Sequence, residues 1–224
     1  MTLPLLILRP EPGASMTAGR ATALGLQPVC YPLFQVRPCV WDAPDPAEFD
    51  AIMLTSANAL LHGGPQLDRF KHLPAFAVGE ATGEAAREAG FTVAAAGRSD
   101  VNALVKIVAA QGYRRIFHPC GRDRRTFDPA PLAIIHRYVY EAAEAGDAKG
   151  LQAAMPEKAV ALLHSPRAAR RLAKLIALPE RQRLQVAAIS AAVFNAAGEG
   201  WGPGGIATKV SDEALLALAI TLCK

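Results

Sequence analysis

Ile52-Met53-Leu54-Thr55-Ser56-Ala57 and Ala161-Leu162-Leu163-His164-Ser165-Pro166 read alike and lie 109 positions apart. Each is three apolar residues, then a polar pair, then a small or helix-starting residue. The same offset of 109 joins Ile7-Leu8-Arg9-Pro10 to Ile116-Phe117-His118-Pro119, and Tyr31 to Tyr140. Val78-Gly79-Glu80-Ala81 meets Ile189-Ser190-Ala191-Ala192 at 111, and Ser99-Asp100 meets Ser211-Asp212 at 112. Matches that keep their order with so little drift indicate a tandem duplication of a unit of about 110 residues.

A short apolar run closed by small or polar turn residues is the pattern of a strand buried on both faces. Such runs occur at 5–8, 51–54, 75–78, 115–117, 159–163 and 186–189. The stretches between them read as helices. Ser99 is expected to cap one with Val101, Leu104, Val105 and Val108 on a single face, closed by Gly112. Ser211 is expected to cap another that carries Leu215, Leu218, Ala219 and Leu222. The expected order in each copy is strand, helix, strand, strand, helix, strand, helix, helix. Strands alternating with helices predict α/β units with parallel sheets. Segments 37–46, with Pro38, Pro44 and Pro46, and 141–150, rich in Ala, Gly and acidic residues, read as linkers at equivalent places. The chain is therefore expected to cross between two domains twice.

With 224 residues, 51% of them hydrophobic and 20% charged, the chain has enough apolar surface for a packed core, which excludes disorder. Cys30, Cys39, Cys120 and Cys223 form no Cys-x-x-Cys pair, so no zinc, haem or iron–sulfur spacing is read and a reduced, cytoplasmic setting is expected. The opening Met1-Thr2-Leu3-Pro4-Leu5-Leu6-Ile7-Leu8-Arg9 has no basic leader and too short an apolar run for a signal peptide or membrane span. The net charge of +4 is carried by 17 Arg against 7 Lys. Arginine suits carboxylates and phosphates. No basic stripe interleaved with aromatics occurs, so no nucleic-acid partner is expected.

Ligands of open parallel sheets bind beyond the carboxyl ends of the strands, where helix N-termini favour anionic groups. The turns concerned are 9–13, 55–58, 79–82, 119–122, 164–167 and 190–193. Ser165-Pro166 combines an N-cap serine with proline at the first helical position. Arg122-Asp123-Arg124-Arg125, with Arg9, Arg98 and Arg167, makes a candidate basic rim, and Tyr140 a candidate weak acid or hydrogen-bond donor. His118 and His164 end strands and either face the ligand or pack as core and capping histidines. No Gly-x-Gly-x-x-Gly, Walker-type loop, His-Glu-x-x-His or Gly-x-Ser-x-Gly is present.

Along nearly its whole length the chain resembles the uroporphyrinogen-III synthase family. The resemblance is carried by Leu8-Arg9-Pro10, Phe49-Asp50-Ala51-Ile52-Met53-Leu54-Thr55-Ser56-Ala57-Asn58, Ala77-Val78-Gly79-Glu80-Ala81-Thr82, Phe117-His118-Pro119-Cys120-Gly121, Tyr138-Val139-Tyr140-Glu141, Leu163-His164-Ser165-Pro166 and Ala187-Ala188-Ile189-Ser190. It implies two flavodoxin-like parallel-sheet α/β domains from a tandem repeat, joined by a two-stranded linker with a cleft between them. Residues 1–36 would fold with 144–224, and 37–143 would be the inserted domain. It also implies a reaction without metal or organic cofactor. A monomeric enzyme would take hydroxymethylbilane, remove its hydroxyl as water, invert the terminal pyrrole ring and close the macrocycle. Tyr140 would be the catalytic proton donor. Arg9, Thr55, Ser56, Gly79, Thr82, Gly121, Arg122, Ser165 and Ser190 would bind the substrate. The second copy's turn, Ser190-Ala191-Ala192-Val193, lacks the threonine hydroxyl that Thr82 supplies in the first. A catalytically silent module that binds a polycarboxylate or tetrapyrrole is the alternative that the same turns allow.

Overall fold

The computed structural model describes residues 2–97, 100–124 and 126–223. Eleven strands appear among them: β1 (Leu5–Ile7), β2 (Pro28–Cys30), β3 (Phe34–Pro38), β4 (Ala51–Leu54), β5 (Ala75–Val78), β6 (Val93–Gly97), β7 (Arg115–Gly121), β8 (Ala133–Glu144), β9 (Ala159–Leu163), β10 (Leu184–Ala188) and β11 (Gly204–Ile206). The helices are α1 (Gly13–Ala23), α2 (Asn58–His62), α3 (Glu80–Glu88), α4 (Val101–Ala110), α5 (Ala148–Ala154), α6 (Pro166–Leu175), α7 (Leu178–Arg181), α8 (Ala191–Ala197) and α9 (Asp212–Leu222). The architecture is mixed α/β with parallel sheets. None of these helices is long and apolar enough to cross a membrane.

The chain divides into two compact units, Met1–Gln35 with Ala143–Lys224 (unit 1) and Val36–Ala142 (unit 2). Unit 1 holds a five-stranded sheet in the order β11-β10-β9-β1-β2. Every pairing in it is parallel. A six-stranded sheet runs β3-β8-β7-β4-β5-β6, and its β8-β7-β4-β5-β6 pairings are again parallel. Both division points fall inside strands, β3 and β8. Within unit 1 the Ala145 amide donates to the Leu33 carbonyl over 3.0 Å, and within unit 2 the Cys39 amide donates to the Val139 carbonyl over 3.0 Å.

Each sheet is covered on both faces, because successive strand residues point to opposite sides. In unit 1, Leu5, Ile7, Val160 and Leu162 face Ala14 and Ala21 of α1 and Leu215, Leu216 and Ala219 of α9. The alternate residues Leu6, Leu8, Ala161 and Leu163 are equally buried. In unit 2, Ile52, Leu54, Ala75 and Phe117 join one core and Ala51, Met53, Phe76 and Ile116 the other, against Leu104, Val105 and Val108 of α4. Each large apolar side chain buried in this way contributes about 1.5–3 kcal/mol. This double burial is why the strands read as continuous apolar runs.

Five expectations need correction. Each copy is expected to close on two successive helices, but β6 separates α3 from α4 and β11 separates α8 from α9. His118, expected to end a strand, lies inside β7. The second copy has no helix between β7 and β8 among the described residues. The segment 122–132 is too short, and Pro129 and Pro131 lack the N–H that a helix needs. The segment 141–150 is not wholly a linker, because β8 runs on to Glu144, and Tyr140 therefore lies inside a strand instead of ending one. The cap assigned to Ser99 lies outside the described residues. The N-cap of α4 is Asp100, whose carboxylate accepts from the Asn102 and Ala103 amides over 2.9 and 3.1 Å. Arg98 and Arg125 of the expected basic rim also lie outside the described residues.

Candidate active site

At the carboxyl ends of β4 and β5, beside the middle of β7, unit 2 opens into a cavity of about 340 Å³ lined by Thr55, Ser56, Val78, Asp100, Val101, His118, Arg124, Phe127 and Tyr140. In a parallel sheet this is where strand ends expose unpaired backbone groups to a ligand. Thr55 and Ser56 follow β4 directly, so both hydroxyls sit at the mouth. Thr55 Oγ1 lies 3.0 Å from His118 Nε2, and the Ser56 hydroxyl accepts from the Asn58 amide over 3.2 Å.

Tyr140 reaches the cavity from β8. Its ring lies over Gly121, where a Cβ would come within 2.6 Å of the ring carbon Cε2, so the close approach requires glycine. Burial pushes the phenol pKa above its ordinary value, although a hydrogen bond with Ser56 partly opposes this. Tyr140 is therefore a protonated donor at neutral pH. Burial also drives His118 down, to about 3, helped by His136 and Arg124. His136 is lowered by burial and by Arg124. The two imidazoles are neutral, with their Nδ1 atoms 2.9 Å apart.

At the equivalent place in unit 1 the protein's own side chains bond one another. Arg9 follows β1, His164 follows β9 and Asp212 starts α9. By the repeat they match His118, Thr55 and Asp100 of unit 2. Asp212 accepts from Thr17 over 3.0 Å, from Arg20 over 2.7 Å and from Arg9 over 3.4 Å, and lies 2.9 Å from His164 Nε2. Burial raises the Asp212 pKa, but these partners outweigh it and hold the carboxyl below its usual range. His164 is lowered by burial and so is neutral at pH 7. Its bond to Asp212 is thus a neutral donor on a carboxylate.

Of the residues singled out from sequence, Thr55, Ser56 and Tyr140 meet in the cavity, with Gly121 beneath the phenol. Gly79 caps α3 with φ +82°, at the end of β5, and Thr82 is buried in that helix. Arg122 turns elsewhere, its Nε donating to Glu141 over 2.9 Å while Arg37 holds the other carboxylate oxygen. Arg9 is committed to Asp212. Ser165 accepts from the Ala168 amide over 3.1 Å as the N-cap of α6, whereas Ser190, N-cap of α8, makes no side-chain cap bond. Sequence reasoning missed Asp100 and Phe127 as lining residues and did not separate Arg124 from its neighbours. The only available signal was position just after a strand.

The family model described as HEM4, uroporphyrinogen-III synthase HemD, matches residues 15–217. The chain belongs to the uroporphyrinogen-III synthase family. Its members are cyclising lyases of tetrapyrrole biosynthesis, the activity anticipated from the sequence. Among solved structures, the uroporphyrinogen-III synthetase of Helicobacter pylori 26695 is 18% identical with a TM-score of 0.69, covering 98% of this chain and 99% of that one. This likeness shows a shared fold. The uroporphyrinogen III synthase of the extremely thermophilic bacterium Thermus thermophilus is 16% identical over 98% of this chain and 96% of that one, with a TM-score of 0.40. No curated protein sequence matches the chain.

Proposed function

We propose that this chain turns linear hydroxymethylbilane into uroporphyrinogen III, with Tyr140 assisting loss of the hydroxyl and the cavity of unit 2 holding the reacting end. The observation that carries this is the Tyr140 side chain, which shares that cavity with Ser56 and Thr55 and whose burial favours the protonated phenol. The proton goes to the departing hydroxyl, which leaves as water. The azafulvene left behind is resonance-stabilised, so the enzyme needs one donor and accurate placement of the terminal ring. The terminal ring attacks through its already substituted α-carbon, and the old bridge bond at that carbon breaks. The freed bridge carbon bonds the ring's other α-carbon, so the ring is inverted as the macrocycle closes. The proton lost from that second α-carbon restores the phenol.

Hydroxymethylbilane carries eight carboxylates, and the reading distributes them over strand-end turns of both units. In unit 2 these are Thr55, Ser56, Gly79, Thr82 and the Gly121–Arg122 turn. In unit 1 they are Ser165 and Ser190, whereas Arg9, expected among them from the sequence, already pairs with Asp212. Ser190, whose hydroxyl makes no cap bond, supports a substrate contact better than Ser165 does. Arg124, a cavity-lining cation, is added to the set in preference to Arg122, which already pairs with Glu141. The reading takes the units as two flavodoxin-like domains descended from the duplicated repeat, each completed by the first two strands of the other copy, β1–β2 and β7–β8. It also makes the protein a cytoplasmic monomer without a nucleic-acid partner.

The test is a coupled assay in which porphobilinogen and its deaminase supply hydroxymethylbilane and the oxidised porphyrins are separated by isomer. Spontaneous closure yields type I. Accumulation of type III on adding this protein is the expected result. Type I alone from a folded protein that still binds the bilane would make it a silent binding module.

A further inference from the structure

Strands β7 and β8 pair in parallel with His118 opposite His136. Cys120 lies two residues beyond His118 and therefore on the same face. Three donor atoms thus converge: one ring nitrogen of His118, one of His136 and Cys120 Sγ all lie within 4.8 Å of one another, and the two Nδ1 atoms are 2.9 Å apart. Neither Cys120 nor His136 has a part in the proposed synthase chemistry.

We propose that His118, Cys120 and His136 form a binding site for a borderline transition-metal dication of the zinc class. Two imidazoles and one thiolate are a donor set that such ions prefer over magnesium or calcium. The second shell is also in place. Thr55 Oγ1 lies 3.0 Å from His118 Nε2, and in the tautomer that carries its proton on Nε2 it accepts that N–H while the Nδ1 lone pair faces His136. Two metal–nitrogen bonds at a tetrahedral angle set the nitrogens about 3.3 Å apart. The present 2.9 Å therefore asks for only a small parting of the rings. Binding forms two N–metal bonds and one S–metal bond, breaks the thiol S–H bond and releases one proton to solvent, with no redox change. His136 keeps its single proton by shifting it to Nε2. Three protein ligands leave a tetrahedral ion one position for water or an oxygen donor.

Arg124 is the competitor. Its guanidinium lies against the Cys120 thiol, and its charge bears on both imidazoles. It is held by a bond to the Cys120 thiol and by the Phe127 ring, 6.0 Å from its guanidinium, while its buried Nε has no hydrogen-bond partner among the described residues. The ion enters by exchanging one cation for another at the cavity wall that Arg124 and His118 share.

Cobalt(II) titration of the full chain tests this without reference to the synthase activity. The expected result is one equivalent bound, with a thiolate-to-cobalt charge-transfer band and the strong visible absorption of a tetrahedral site, both removed by zinc. Cys120→Ser abolishes the charge-transfer band. Thr55→Val weakens binding by about 10–100-fold, as loss of an outer-shell partner does. Arg124→Gln tightens it, which a purely structural role for Arg124 does not produce. Absence of the charge-transfer band in the wild type, or its survival in Cys120→Ser, overturns the proposal. X-ray absorption of the zinc-loaded wild type needs no variant: one sulfur with nitrogens in the first shell supports the site, and an all-oxygen or all-nitrogen shell refutes it.

Discussion

Tyr140, Ser56 and Gly121 form one working group, and substitution at each tests a different part of it. Tyr140→Phe keeps the ring over Gly121 but loses the proton. Because the bilane ionises readily, kcat for type III formation is expected to fall by about a hundredfold or less, the low end of what acid assistance supplies. Gly121→Ala sets a methyl 2.6 Å from the phenol ring carbon. It is expected to displace Tyr140 and lower kcat while far-ultraviolet circular dichroism stays unchanged. In unit 1, His164 and Asp212 make stability sensitive to acid. His164 has a folded pKa below its unfolded value near 6.5, so the unfolded chain binds more protons. Its contribution is complete above that pH and is lost as the pH falls towards the folded pKa. Asp212, also lowered, adds a further loss below about 3.8. The urea midpoint of His164→Gln is accordingly expected to fall less between pH 7 and pH 5 than that of the wild type. Equal slopes would mean that burial of the imidazole carries no linkage.

Caps are where elements and binding overlap, and two serines separate these roles. Ser165 is bonded to the Ala168 amide at the start of α6, so Ser165→Ala is expected to cost about 1 kcal/mol in urea unfolding. Ser190 makes no such bond at α8, so Ser190→Ala is expected to leave the unfolding free energy within about 0.5 kcal/mol and to raise KM for the bilane. A larger loss of stability in Ser190→Ala would assign the hydroxyl to folding instead. At this scale much was legible: apolar runs bounded by turn residues marked β1, β4, β5, β9 and β10, and Ser165-Pro166 marked the start of α6. The missing helix between β7 and β8 was hard to read, because a helix expected from the repeat competed with Pro129 and Pro131. Tyr140 inside β8 was missed because acidic residues and alanines after it imitate a linker. Nothing local reveals that they continue a strand ladder.

Taken whole, the chain places its one continuous unit between the two pieces of the discontinuous one. Val36–Ala142 has apolar cores on both sheet faces from its own residues. Expressed alone, residues 36–142 are expected to unfold cooperatively on heating. A non-cooperative melt would show that this unit depends on the rest of the chain. By itself the sequence determined the mixed α/β class with parallel sheets and the family, because these live in apolar runs, turn residues and their order, which a linear chain carries directly. Tertiary structure alone decided which strand-end groups bond one another and which line a cavity. Arg9 and Asp212 pair charge with charge, and the neutral His164 bonds the same carboxylate. Their repeat mates His118, Thr55 and Asp100 leave a cavity in whose wall His136 and Cys120 meet His118. Such meetings depend on strand order and register, long-range pairings that no local pattern encodes.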